Sequence, residues 1–214
     1  MTDTDYDSAA LATHWDARYA EREQIWSGRP NVALVAEIGR IAPGRALDVG
    51  CGEGADAIWL AQQGWQVVGV DVSQIALDRA ARHAADLGVA SEVRFERHDL
   101  TLSLPAGPFD LVSAQFLHSV AWIPREDILR RAAALVSPGG LLLVVGHVGW
   151  PSWVADEHRE HAVNFPTPES EVETIGLRDG WEVLVAEQRP VEITTPDGSP
   201  GQRVDGVVLA RRLG

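Results

Sequence analysis

Three carboxylates carry the first chemical signal in this chain. Asp48 lies two residues before the glycine-rich run Gly50-Cys51-Gly52-Glu53-Gly54, Asp71 closes the apolar run 66–71, and Asp99 follows the run 93–97. A glycine-rich turn between a strand and a helix lets backbone approach a ligand at the carboxyl end of a sheet, where open α/β folds bind their ligands. Gly50, Gly52 and Ala55 also satisfy a relaxed dinucleotide fingerprint, so an NAD(P) or flavin cofactor is the competing reading. Charge separates the two. Strand ends that present acid rather than Lys or Arg would repel a pyrophosphate, whereas a ligand with a sulfonium and an ammonium gains from them. A carboxylate such as Asp71 can also bridge ribose hydroxyls. The residues therefore favour a cationic adenosyl ligand.

A second group follows the fourth apolar run, 109–115. Phe116, His118, His147, Trp150 and Trp153 could wall an apolar pocket, and His118 is the best-placed candidate for a general base, although a histidine near a strand end is more often structural or substrate-contacting. Cys51 has no base placed beside it by any motif and reads as a small packed residue. His158 and His161, three apart, lack a placed third ligand, so no metal is expected and a solvated helix with Glu157, Arg159 and Glu160 fits better.

The elements that must position these residues alternate. Apolar β-type runs at 45–49, 66–71, 93–97, 109–115 and 141–145 alternate with helical patterns at 55–63, 73–87 and 124–136, and with the loop 100–108, which predicts a parallel sheet. Ser73 is a good N-cap, Pro124 suits a first helical turn, and Ser137-Pro138-Gly139-Gly140 signals a turn. Thr167-Pro168 can open a short helix, and 181–194 and 203–212 read as two long strands joined near Pro196. Leu11, Trp15 and Tyr19, then Leu34, Val35, Ile38 and Ile41, give two helical patterns before the sheet. The expected organisation is a helical flap over 1–44 of the same domain, a ligand-binding domain over 45–214, and a substrate lid within 146–170.

Composition bounds the function. The 214 residues contain one cysteine, so no internal disulfide can form. Acidic residues outnumber basic ones by 31 to 18, a formal charge of −13, with no basic stripe for phosphates; a nucleic-acid partner is not expected. The absence of a long apolar run or of a basic-then-apolar leader predicts a soluble, cytoplasmic protein with no membrane partner. Oligomeric state is not encoded in any motif.

The ordered set Leu47-Asp48-Val49-Gly50-Cys51-Gly52-Glu53-Gly54, Val70-Asp71-Val72-Ser73, His98-Asp99-Leu100, Phe109-Asp110-Leu111-Val112 and Pro138-Gly139-Gly140 resembles the class I S-adenosylmethionine-dependent methyltransferases over residues 45–145. The resemblance implies a doubly wound, mostly parallel seven-stranded sheet of the Rossmann-like kind, ending in an antiparallel hairpin. It implies S-adenosylmethionine as cofactor and S-adenosylhomocysteine as product. Carried over, Asp48 would hold the methionine amino group, with Gly50 and Gly52 giving close backbone approach. Asp71 would take the ribose hydroxyls and Val72 would pack on the adenine face. Asp99 would accept from the exocyclic amine, the Leu100 N–H would meet a ring nitrogen, and the backbone at Ala114 and Gln115 would line the sulfonium end. Taken singly, Asp48 and Asp71 could be turn residues, Ser73 a cap, and Val72 and Leu100 core.

His14-Trp15-Asp16-Ala17-Arg18-Tyr19 and Trp26-Ser27-Gly28-Arg29-Pro30 are similar to the entry segment of the thiopurine and tellurite-resistance branch, which folds over the cofactor. That likeness implies that Trp15 or Trp26 covers the methionine end and that the acceptor is a small molecule, such as a thiol, a chalcogen or another soft nucleophile; packing of both tryptophans onto the sheet edge is the plain alternative. Three functions stay open from sequence: a methyltransferase acting on a small molecule by in-line displacement, an NAD(P)- or flavin-dependent oxidoreductase, and a non-catalytic S-adenosylmethionine-binding module.

Overall fold

The computed structural model describes residues 7–118, 123–154, 165–195 and 198–214. Seven strands form one sheet: β1 (Arg45–Val49), β2 (Gln66–Asp71), β3 (Val93–Arg97), β4 (Phe109–Gln115), β5 (Val136–His147), β6 (Trp181–Thr194) and β7 (Pro200–Arg212). Their order is β3-β2-β1-β4-β5-β7-β6, parallel from β3 to β5, with β7 antiparallel to both its neighbours. The strand order reverses between β1 and β4, which opens a crevice at their carboxyl ends beside the glycine turn. The α/β expectation and its closing hairpin hold.

Helices α1 (Ser8–Ala20), α2 (Val32–Ile38), α3 (Ala55–Gln62), α4 (Gln74–Asp86), α5 (Arg125–Ala133) and α6 (Pro168–Ile175) accompany the sheet. β5 shows why the central strands read as apolar runs. Leu142 and Val144 enter one core with Leu47, Val112, Ile128 and Val208, while Leu141, Leu143 and Val145 enter the other with Leu34, Leu60, Leu111 and Val207. Both faces of the sheet are covered, so alternation disappears from the sequence.

Local chemistry sets most boundaries. Ser73 caps α4 by accepting from the Ala76 N–H at 3.2 Å, and Thr167 caps α6 with Pro168 in its first turn. Two boundaries differ from expectation. The α5 helix stops at Ala133, because Val136 pairs with Phe109; the strand then resumes its register with Leu141 opposite Leu111. Residues 137–140, which carry the expected turn, are thus absorbed as an irregularity inside β5, because the strand on either side is already held by β4. The second N-terminal helix, expected around 34–41, spans 32–38 and is capped by the Asn31 side chain on the Ala33 N–H. The Pro196 turn and the His158–His161 pair lie outside the described residues.

Beyond β5 the chain keeps pairing with β7. The Val148 N–H donates to the Val204 carbonyl, and Ser152 exchanges two bonds with Gln202. Arg189 on β6 reaches back to Glu37 on α2 at 2.6 Å. Among the described residues no helix is long and apolar enough to cross a membrane.

Candidate functional site

The turn after β1 is tied to β2: the N–H groups of Gly50 and Cys51 both donate to the Val70 carbonyl. Gly50 and Gly52 have φ of +74° and +52°, conformations an L side chain resists. A Cβ on Gly50 would stand 3.0 Å from Leu117 Cδ1, and one on Gly52 would stand 2.8 Å from Tyr19 Oη. The turn is therefore bare backbone flanked by Leu117 on one side and Tyr19 on the other.

Acid crowds beneath it. Asp48 is 2% exposed, accepts from the Ala57 N–H, and its Oδ2 has no hydrogen-bond partner. Asp71 accepts from the N–H of Gly52 and of Ser73, each at 2.9 Å. Burial, with Asp56 and Asp71 nearby, pushes the Asp48 carboxyl well above the usual carboxylate range. Asp71 is raised by burial against the pull of its N–H donors, and Asp56 is raised by burial to about 6 although the Asn31 N–H opposes it. The thiol of Cys51 is pushed up by burial and then by Asp48 and Asp71, which leaves it a neutral packed group. Such a cluster is deficient in positive charge, so its donor set fits a cation with hydroxyls rather than a pyrophosphate. Arg97, at the end of β3, is a cation the sequence reading passed over; its Nε donates to the Val72 carbonyl at 3.0 Å.

The N-terminal segment is fastened over this turn by acids. Buried Glu53 accepts from the N–H groups of Ile25 and Trp26 and pairs with Arg79 at 2.8 Å. Asp56 accepts from the Asn31 N–H at 2.6 Å, and Asp16 accepts from the Ser73 hydroxyl and the Ile75 N–H. The Ser8 hydroxyl donates to Asp99, whose other oxygen accepts from the Thr101 N–H and hydroxyl. Trp26 Nε1 donates to Tyr19 Oη at 3.1 Å, while Trp15 packs against His14 and Tyr19. Trp26 remains half exposed and Trp15 partly buried.

A second cluster stands where β4 and β5 end, beside the first half of β7. Phe116 adopts φ +49°, rare for a side chain of its size, and its ring lies 4.5 Å from that of His147 with the Arg203 guanidinium 4.6 Å away on it. His147 stacks in turn on His118 at 5.4 Å and 12°. The His147 N–H donates to His118 Nε2 at 3.3 Å, and His147 Nδ1 is buried 3.8 Å from Asp205 Oδ1. Arg203 donates to Asp205 at 3.0 Å, and Arg125 pairs with Glu171 at 2.6 Å while holding the Leu117 carbonyl. Both histidines are lowered to about 4, His118 by burial, Arg125 and His147, and His147 by burial and Arg203. Asp205 is raised by burial, with Arg203 opposing.

The expected residues fall into two sets. Asp48, Gly50, Gly52 and Asp71 meet at one turn, with Trp26 and Trp15 above it through Tyr19; Val72, Asp99 and Leu100 follow on the next strand ends. Gln115, bonded to Ser113 at 2.8 Å, leads into the Phe116, His118 and His147 stack, whereas Trp150 packs edge-on against Phe165. Sequence reasoning missed Tyr19, Glu53, Asp56, Arg203 and Asp205. Asp205 had a signal: it is an acid set in the apolar run of a strand. Glu53 and Asp56 had the weaker signal of charges in a glycine turn and its helix. Among the described residues, no three or more His, Cys, Asp or Glu side chains are grouped to hold a metal.

Residues 46–140 match the family described as methyltransferase domain. A ubiquinone biosynthesis O-methyltransferase from a Caulobacter strain is 38% identical over 100 residues, covering 47% of this chain and 39% of that protein. An Arabidopsis thaliana protein named "Probable thiol methyltransferase 2" is 32% identical over 64% of this chain and 57% of its own length. A ribosomal RNA small subunit methyltransferase C from Chromohalobacter salexigens is 33% identical over 61% of this chain and 40% of its own length. The chain thus spans about two-fifths to just over half the length of these curated relatives. Among solved structures, one concerned with converting a disulfide bond into a thioacetal group during echinomycin biosynthesis superposes with a TM-score of 0.74 at 23% identity, covering 94% of this chain and 93% of that one. TehB from Haemophilus influenzae superposes at 0.68 with 16% identity, covering 92% and 66%.

Proposed function

We propose, from the premise that residues 46–140 are a methyltransferase domain of the class I fold, that this protein moves the methyl group of S-adenosylmethionine to a small-molecule nucleophile. The observation that carries the reading is the buried carboxylate Asp48, whose Oδ2 has no partner and which sits with Asp56 and Asp71 under a bare glycine turn. A cationic ligand relieves that arrangement, and a nicotinamide or flavin dinucleotide would worsen it.

When bound, S-adenosylmethionine supplies an activated methyl group, and the protein then needs chiefly to align the acceptor and exclude water. Asp48 would hold the amino group and Asp71 the ribose, with Val72, Asp99 and Leu100 around the base, Gln115 at the reacting end, and Trp15 and Trp26 in the cover. Residues 1–44 would act as that cover and 146–170 as a lid over an acceptor pocket walled by Phe116, His118, His147 and Trp150. Acidic balance and the apolar, π-rich wall support a small acceptor over a nucleic acid in a cytoplasmic setting. Calorimetric titration tests the reading: micromolar binding of S-adenosylmethionine, reduced at least tenfold by Asp71→Ala in a folded protein, is expected, and an unchanged Kd in that variant would contradict it.

A further inference from the structure

His147 and Asp205 form a pair that the glycine-turn chemistry does not use. His147 ends β5, Asp205 faces it from β7, and the β5–β7 register sets the two opposite each other. Asp205 is 2% exposed, and its Oδ1 lies 3.8 Å from His147 Nδ1, a ring nitrogen that is itself buried without a hydrogen-bond partner. Placing the single proton of the neutral ring on Nδ1, towards the carboxylate, leaves the lone pair on Nε2. The neighbouring histidine is differently committed. His118 Nε2 accepts from the His147 N–H at 3.3 Å, so its neutral ring carries the proton on Nδ1 and its lone pair is already occupied.

We propose that His147, held in one tautomer by Asp205, removes the proton of a neutral acceptor X–H, such as a thiol or phenol, while His118 positions it. The inference rests on the methyl-transfer reading above. Leu117 flanks Gly50, and its two chain neighbours, Phe116 and His118, are the residues that stack on His147, which brings the histidines towards the Leu117 side of the glycine turn. The step balances. A lone pair of X forms the bond to the methyl carbon, the carbon–sulfur pair returns to sulfur as a thioether, and the X–H proton passes to His147 Nε2 and then to water. A weak base suffices, because X–H becomes strongly acidic as its methyl bond forms.

The charged and titratable groups facing His147 are His118, Arg125 with its partner Glu171, Arg203 and Asp205. Both guanidiniums have carboxylate partners, so the pocket offers no uncompensated charge to an anionic acceptor. That balance is what a neutral acid would meet.

Long-range 1H–15N spectra of the full chain test the pair without any ligand. They should show His147 as the Nδ1–H tautomer, titrating near 4, with the tautomer population shifted in Asp205→Asn. The kinetic arm uses benzyl mercaptan, neutral at pH 7, and 4-nitrothiophenol, ionised at pH 7. His147→Gln should lower kcat with the first by about a hundredfold or more and with the second by less than about fivefold, with Kd for S-adenosylmethionine unchanged. An Nε2–H ring, equal losses on both thiols, or the selective loss in His118→Gln instead of His147→Gln would overturn the proposal. Cofactor binding with methylation of neither thiol would also count against it, whereas absent cofactor binding would fail the methyltransferase reading itself.

Discussion

Around the glycine turn, Asp48, Asp56 and Asp71 crowd together with their carboxyls raised, and Asp48 keeps an oxygen without a partner. Where β4 and β5 end beside the first half of β7, single side-chain atoms also lack hydrogen-bond partners, Glu171 Oε2 and Asp205 Oδ1 among them, but each buried charge faces an opposite one: Arg125 with Glu171 and Arg203 with Asp205, with two histidines held neutral between them. One end of the crevice is unbalanced and the other is closed upon itself. Folding alone does not explain the first, since an unpaired buried carboxylate costs stability. A ligand that brings positive charge does. The second requires nothing of the acceptor's charge and offers it a stacked wall of rings whose neighbouring charges are paired.

Breaking the balanced end should have the largest effect. Glu171→Ala leaves Arg125 buried beside only a carbonyl, and the protein should lose about 3 kcal/mol, read as a fall in Tm of roughly 6–12 °C, with cofactor affinity within about threefold. Equal damage to affinity would mean that the two ends are not separable. At the unbalanced end, Asp48→Asn should do the reverse. It removes a buried charge while keeping the acceptor for Ala57, so the free protein should melt a few degrees higher, and S-adenosylmethionine should bind about a hundredfold more weakly. A lower Tm would identify Asp48 as a structural turn residue.

The same imbalance sets a pH dependence. Asp56 titrates at about 6 in the folded chain against about 4 unfolded, so between those values the folded state holds a proton that the unfolded state has released. Stability of the free protein should therefore fall by up to about 2 kcal/mol as pH rises from 4 to 6 and level off above, with Asp48 and Asp71 acting in the same direction. Melting curves across that range check it, and saturating S-adenosylmethionine should flatten them. The smallest effect belongs to Trp26→Ala. Half exposed and bonded to Tyr19 and Glu53, Trp26 should change Tm by under about 2 °C and affinity by under about tenfold.

The sheet was legible because its signals are local. Apolar runs, Ser73 as a cap, Thr167-Pro168 as a helix start and glycines at turns each act within a few residues. The course of β5 through Ser137–Gly140 was not, since pairing with β4 on both sides overrode the turn chemistry. The carboxylates of the glycine turn were legible by type and order. Their isolation from counter-ions depends on which groups the fold brings near, and Arg97, set opposite Asp71 by the β2–β3 register, spends its Nε donor on the Val72 carbonyl. The Asp205 pairing needed the β5–β7 register, set by residues nearly sixty positions apart, and Glu53's hold on Ile25 and Trp26 likewise joins segments that no local pattern connects.

Calorimetric titration of the purified protein with S-adenosylmethionine and S-adenosylhomocysteine, beside NADH and NADPH, tests the central claim most directly. Micromolar binding of the adenosyl pair and none of the nicotinamides is the expected result. Binding of the nicotinamides alone would mean that the carboxylates under the glycine turn do not select a cation, and an oxidoreductase would replace the methyltransferase.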